Sequence, residues 1–244
     1  MELNILHLYP DCMSLYGEYA NVAVLRRHLE NLGVSVTVKA PLFEDAPDFG
    51  GADFIYMGAG TERMQKAALT ALRPHTEALR TAVERGAVLL FTGSAMEIIG
   101  ASVTDAAGKV WPGLGLAGFT TQETDRRTPH DVIAVPTLWE PAAVGFMNKC
   151  SRTAGVETPL FSAVTMGFGN EAQGGPEGYV SGNVFATHIT GPVIVKNPAF
   201  AALLTRRLFE RKGWPLPIGA GIEPLEEQVY RETYAALAGL PKNL

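Results

Sequence analysis

Cysteine, basic clusters and long apolar runs are all scarce in this chain, and each scarcity removes a class of answer. Two cysteines, Cys12 and Cys150, in 244 residues cannot build a disulfide framework, nor a four-ligand zinc site on their own. The formal net charge is −5 with only 18% charged residues, and no stripe of Lys or Arg supplies a footprint for nucleic acid. No apolar stretch approaches the ~20 residues of a membrane span. Met1-Glu2-Leu3-Asn4 lacks the basic region and apolar core of a signal peptide. Histidines and carboxylates never fall at a metal spacing such as H-x-x-x-H, so no metal or cofactor is expected. What is present is a 47% hydrophobic chain, enough for a sizeable core. It reads as one cytoplasmic domain over residues 1–244, without repeat, low-complexity tract or linker.

The first ~100 residues alternate strand and helix patterns. Leu3 to Leu8 reads as a strand, and Val22, Leu25, Leu29 and Leu32 recur at helical spacing until Gly33 stops them. Val34 to Val38 alternates like a strand, and Asp53 to Met57 leads into Gly58-Ala59-Gly60. A helix from Thr61 is interrupted near Pro74 and ends at Gly86, and Val88 to Phe91 is the next strand. This order predicts an α/β fold with a doubly wound, mostly parallel sheet flanked by helices. Residues 101–185 change texture, with Gly, Thr, Pro and short β-like runs at 132–135 and 179–185, and predict a second, mixed layer. A helix opens at Asn197-Pro198 and runs to about Arg211, and 225–244 reads as a C-terminal helical extension.

The segment from Leu89 to Gly100 resembles a nucleophile elbow without a nucleophile: an apolar run, a tight Thr92-Gly93-Ser94-Ala95 turn, then an apolar helical start. Ligands of open α/β sheets bind at such strand ends, and Tyr9-Pro10-Asp11 and Gly58-Ala59-Gly60-Thr61 are two more. Gly58 and Gly60 suit backbone amides that approach a substrate oxygen closely, as in an oxyanion hole, or simply an ordinary strand-to-helix turn. Gly93-Ser94 is half of a G-x-S-x-G motif, but Met96 stands where the second glycine belongs, which makes Ser94 a small turn residue before it is a nucleophile. Among the histidines, His7 lies within a strand and reads as core. His28 and His75 read as surface, His130 as loop, and His188 sits at a strand end in Ala186-Thr187-His188-Ile189-Thr190-Gly191-Pro192. Lys149 and Arg152 flank Cys150 and favour a lowered thiol pKa, yet no elbow surrounds it.

Several segments, in order, carry a resemblance to a known family. They are Leu8-Tyr9-Pro10-Asp11, Leu15 through Asn21 with Val24-Leu25-Arg26-Arg27, and Tyr56 to Gly60. Then come Gly113-Leu114-Gly115-Leu116, Arg126-Arg127, Gly145-Phe146-Met147-Asn148 and Ser151-Arg152-Thr153. Gly167-Phe168-Gly169-Asn170, Thr190-Gly191-Pro192 and Lys196-Asn197-Pro198 complete the set. Together they resemble the glutaminase subunits of lipid II isoglutaminyl synthases, in the cobyric-acid-synthase-like branch of class I glutamine amidotransferases. The resemblance implies a flavodoxin-like α/β fold. It also implies a heterodimeric partnership with a Mur-ligase-like, ATP-dependent subunit that amidates the D-glutamate of lipid II in peptidoglycan synthesis.

It further implies a cysteine nucleophile at the position of Gly93 and a histidine at that of Thr190. His188 lies two residues early, roughly 7 Å away along a strand, and Pro192 replaces an acid. Met147, Lys149 and Glu97 depart as well, whereas Arg127 matches a substrate-contacting arginine. Substrate contacts are thereby expected from Arg127, Gly58, Ala59, Gly60 and Ser94. A thiol attacks and a histidine shuttles protons, and glycine and threonine do neither. The leading expectation is a pseudoenzyme, a non-hydrolysing structural or regulatory homologue. A displaced Ser94/His188 pair, or a small-molecule binding module for glutamine or a peptidoglycan precursor, are the alternatives.

Overall fold

The computed structural model describes residues 1–217 and 223–240. Its main sheet is built from β1 (Glu2–His7), β2 (Ser35–Lys39), β3 (Phe54–Met57), β4 (Val88–Thr92), β10 (Tyr179–Ser181) and β11 (Val184–Thr187). The spatial order is β10-β11-β4-β3-β1-β2, all parallel except β10. Read from the other edge, its five parallel strands follow the 2-1-3-4-5 order of flavodoxin-like folds, whose ligand crevice lies beyond the strand carboxyl ends. Central β3 and β4 are buried at every position, as strands covered by helices on both faces must be. Edge strand β2 alternates instead.

The flanking helices follow their sequence signals. In α1 (Tyr19–Asn31) Val22, Leu25 and Leu29 turn inward. Helix α2 (Glu62–Leu72) is capped by Thr61, whose side chain accepts from the Met64 amide. The chain kinks through Arg73–His75 into α3 (Thr76–Glu84). After the elbow α4 (Ala95–Ile98) is a single turn. Beyond Pro192, α5 (Val193–Lys196) leads to α6 (Pro198–Lys212), which begins on proline, buries Phe200, Leu203, Leu204 and Leu208, and stops at left-handed Gly213.

The second layer is a five-stranded mixed sheet of β5 (Ser102–Thr104), β6 (Val110–Pro112), β7 (Thr120–Pro136), β8 (Ala143–Ala154) and β9 (Phe161–Met166). Its order is β6-β5-β7-β8, with β9 also on β7. Long β7 corrects one expectation: His130 is not in a loop, because a register shift between Glu123 and Thr128 lets Thr128-Pro129 continue the strand. The bridge Phe146–Thr190 joins β8 to the loop after β11, so the second sheet forms a wall over the carboxyl ends of the first.

Helix α7 spans Pro224–Ala238; positions 241–244 of the segment read as an extension lie outside the described residues. Tyr230 and Leu237 pack on Ile133, Val144 and Met166, and the Tyr230 hydroxyl donates to the Ala142 carbonyl at 2.6 Å. Glu226 accepts from Arg27 at 2.5 Å and lies 2.9 Å from His28 Nε2. His28 is therefore buried and not a surface residue as its charged neighbours suggested: α7 covers it. Among the described residues no helix is long and apolar enough to cross a membrane.

Candidate functional site

The elbow is present in three dimensions. Gly93 ends β4 with φ +59°, and its amide donates to the Thr187 carbonyl at 2.8 Å. A Cβ placed on Gly93 would lie 2.5 Å from Ala59 Cβ and 2.8 Å from Thr190 Cγ2, well inside carbon–carbon contact distance. The space that a side chain at this turn requires is already filled with methyl groups from two other strand ends. Thr190 is itself fixed, with its hydroxyl donating to the Phe146 carbonyl at 3.1 Å.

The Gly58-Ala59-Gly60 loop has a structural employment that its sequence did not disclose. A Cβ at Gly58 would meet the Met13 carbonyl and Glu18 Cβ at 2.8 Å, and one at Gly60 would meet Met13 Sδ at 2.4 Å. These glycines admit the 9–18 segment. The Gly60 amide donates to Ser94 Oγ at 3.0 Å, and that hydroxyl donates back to the Gly60 carbonyl at 2.9 Å. The expected oxyanion donor at Gly60 and the candidate nucleophile Ser94 are thus joined to each other. The Ser94 carbonyl accepts from Gln65 Nε2 at 2.7 Å.

His188 is buried and held from its backbone outward. Its amide donates to Glu177 Oε1 at 2.8 Å, and its Nδ1 lies 3.0 Å from the same oxygen. Glu177 Oε2 accepts from the Thr187 hydroxyl at 2.5 Å. Nε2 of His188 lies 3.5 Å from Glu97 Oε1 but has no aligned hydrogen-bond partner among the described residues. Ser151 and Gln65 donate to Glu97 through short hydrogen bonds. Burial alone would raise the Glu97 carboxyl; His188, Ser151 and Gln65 outweigh it and hold the group below its ordinary value. Lys149 anchors to the carbonyls of Gly169 and Asn170 at 2.7 and 2.9 Å, and burial lowers its pKa against the opposing pull of Glu177 and Glu97.

Beneath the elbow lies a third buried carboxyl, Glu18. It accepts from the Tyr56 hydroxyl at 2.8 Å, from the Thr92 hydroxyl through a short bond, and from the Gly191 amide at 3.0 Å. Burial raises its pKa despite those donors. Asn21 extends the network, donating to Tyr56 Oη at 2.8 Å and accepting from the Ile194 amide at 2.7 Å.

At the rim, Arg127 from β7 donates to Glu62 at the start of α2 at 2.5 Å. Cys150 donates to the same carboxylate oxygen at 3.0 Å. The flanking cations do not activate this thiol, contrary to the sequence reading. Lys149 points elsewhere, and burial with the Glu62 carboxylate pushes Cys150 up to about 12. Tyr16, with φ +61°, closes one side and accepts from Asn148 Nδ2 at 2.8 Å.

These groups line one cavity of about 190 Å³, which brings together Ala59, Gly60, Gly93, Ser94, Arg127, His188 and Thr190. The structure leaves Gly58 behind that surface and places no hydrogen bond between Ser94 and His188. Glu18, Glu62 and Glu177 were missed as site residues. Pro176-Glu177-Gly178, a carboxylate between two turn residues just ahead of a strand, was the available signal for one of them. Among the described residues no cluster of His, Cys, Asp or Glu suits a metal ion.

The flavodoxin-like order, the elbow and the second-sheet wall define a class I amidotransferase scaffold. Residues 4–198 match the family model of the CobB/CobQ-like glutamine amidotransferase domain, and the chain belongs to that family. Among its relatives is the lipid II isoglutaminyl synthase (glutamine-hydrolyzing) subunit GatD of Streptococcus pneumoniae, 28% identical over 235 residues, spanning 95% of this chain and 90% of the relative. The Staphylococcus aureus subunit of the same name is 28% identical over 214 residues, spanning 88% and 87%. A crystal structure of a glutamine amidotransferase superposes with a TM-score of 0.52 at 14% identity, covering 85% of this chain and 98% of that one, a likeness of fold.

Proposed function

We propose that this chain is the glutamine-amidotransferase-like subunit of a complex of the lipid II isoglutaminyl synthase type, and that it does not hydrolyse glutamine. In this reading it is the structural or regulatory half of a cytoplasmic heterodimer whose Mur-ligase-like partner uses ATP to amidate lipid II, with ammonium as nitrogen source. The supporting relatives span nearly the whole chain. One observation carries the loss of hydrolysis: the volume a nucleophile's Cβ needs at position 93 is taken by Ala59 and Thr190. A thiol and its base act as a unit, and without them the oxyanion hole and binding leave only a small residue of catalysis.

Nitrogen transfer tests the proposal. The purified chain and its ligase-like partner receive ATP and lipid II with either amide-labelled glutamine or free ammonium. Product from ammonium alone is the expected result, and the isolated chain releases no ammonia from glutamine. Label arriving from glutamine, or turnover on the order of 1 s⁻¹, overturns the reading. It would redirect attention to Ser94 with His188, because Nε2 of His188 is the one buried ring nitrogen on the cavity without an aligned partner. Activity lost in Ser94→Ala would then identify that pair.

A further inference from the structure

The cavity's own carboxylate sits on its own guanidinium. Of the Lys and Arg side chains along its wall, Lys149 is committed to the carbonyls of Gly169 and Asn170, which leaves Arg127 to meet an incoming anion. Arg127 Nη2 is taken by Glu62 at 2.5 Å, and Nη1 reaches only Asn148, at 3.5 Å. Cys150 donates to the same Glu62 oxygen at 3.0 Å. An acid in the first turn of a helix is already favoured by the helix dipole, so helix α2 does not require Glu62 to reach across to β7 and β8. Burial acts to raise the Glu62 carboxyl, but Cys150, its own backbone amide and Arg127 outweigh burial and keep it ionised. Guanidinium forks are suited to one carboxylate in a paired geometry. A tethered carboxylate competes at a high effective concentration against any carboxylate from solution.

We propose that Glu62 is a specificity-determining residue: it keeps Arg127 occupied, so the cavity rejects ligands that present a free carboxylate, free amino acids among them, until Glu62 is neutralised or drawn away. The proposal rests on the chain being an amidotransferase-like subunit whose cavity can take a ligand, and not on the loss of hydrolysis.

The test is calorimetric titration of L-glutamine, L-glutamate and L-glutamine α-amide into the full chain, into Glu62→Gln, and into Glu62→Gln/Arg127→Ala. The pH profile of Cys150 alkylation, in a Cys12→Ser background, reports independently on the rim contact. The wild-type chain is expected to show no saturable heat with the free acids. Glu62→Gln gains affinity for them by roughly tenfold or more, and the gain vanishes in the double variant and with the α-amide. Its Cys150 alkylation moves to lower pH as the carboxylate is removed. Equal affinity of wild type and Glu62→Gln for the free acids overturns the proposal. So does a shifted thiol profile without new binding, and so does an unmoved profile, which would mean that the contact is absent in solution. Ammonia release on the same samples separates the two readings: hydrolysis by wild type ends the non-hydrolysing assignment, while the fate of Glu62 is decided by the binding data.

Discussion

Glu18 under the elbow and Glu97 beside His188 are both enclosed, and the two respond oppositely. Glu18 and Glu97 are 0% and 4% exposed, so both lose nearly all solvation of the charged form. Both accept two side-chain hydrogen bonds, and Glu18 gains a backbone amide as well. Yet Glu18 is raised and Glu97 is lowered. The difference is the imidazole: His188 faces Glu97 at 3.5 Å and leads the groups that pull it down, whereas the partners of Glu18 are two hydroxyls and a backbone amide. In an enclosed site hydroxyl and amide donors soften desolvation of a carboxylate, and a facing imidazole added to such donors reverses its effect.

The largest break in this comparison is His188→Ala. It leaves Glu97 and Glu177 without the ring between them, and truncating a fully buried ring to alanine costs about 3–5 kcal/mol. Denaturant unfolding should show that loss, and Glu97 should then move upward as Glu18 does. The second is Gly93→Cys. It combines overpacking against Ala59 and Thr190 with a side chain at positive φ, for a loss of about 2–4 kcal/mol, and Ala59→Gly should recover part of it. A Gly93→Cys variant as stable as the parent would show that the plug yields readily.

The smallest is Glu18→Gln, a neutral isostere in a site that already disfavours charge, with a change within about 1 kcal/mol at neutral pH. Stability measured against pH sharpens the contrast, with the signs worked out from linkage. Glu97, depressed in the fold, contributes stability that is present above the ordinary carboxylate value of 4.5 and is lost as pH falls through its lower folded value. Glu18, raised in the fold, acts in the other sense: stability rises as pH falls through its raised value toward 4.5. Glu18→Gln should delete only the second contribution. A profile left unchanged by that substitution would remove Glu18 from the account.

Local pattern made the main sheet legible, because β1, β3, β4 and their helices are written in periodicities of two and 3.6 residues with glycine stops. The β7 strand was partly hidden, since Thr128-Pro129 looks like a loop until a neighbouring strand absorbs the register shift. Positions 93 and 190 drew attention only through the ordered motifs. What filled them was not legible, because Ala59 is an unremarkable residue until the fold sets it against Gly93. His28 was misread for the same reason: its cover comes from Glu226, 198 positions away. The state of Cys150 depends on Glu62, 88 positions away, and charges adjacent in sequence gave the wrong sign.

The shared methyl-filled volume at Gly93, Ala59 and Thr190 also bears on history. Each residue sets what the other two can become, so a lineage carrying this trio has no downhill single step to a side chain at the elbow. A first substitution at 93 meets two occupied neighbours, and a first substitution at 59 or 190 opens a void with nothing yet to fill it. Such an arrangement works as a ratchet: descendants can refine the surfaces around this cavity far more readily than they can place a side chain at the turn.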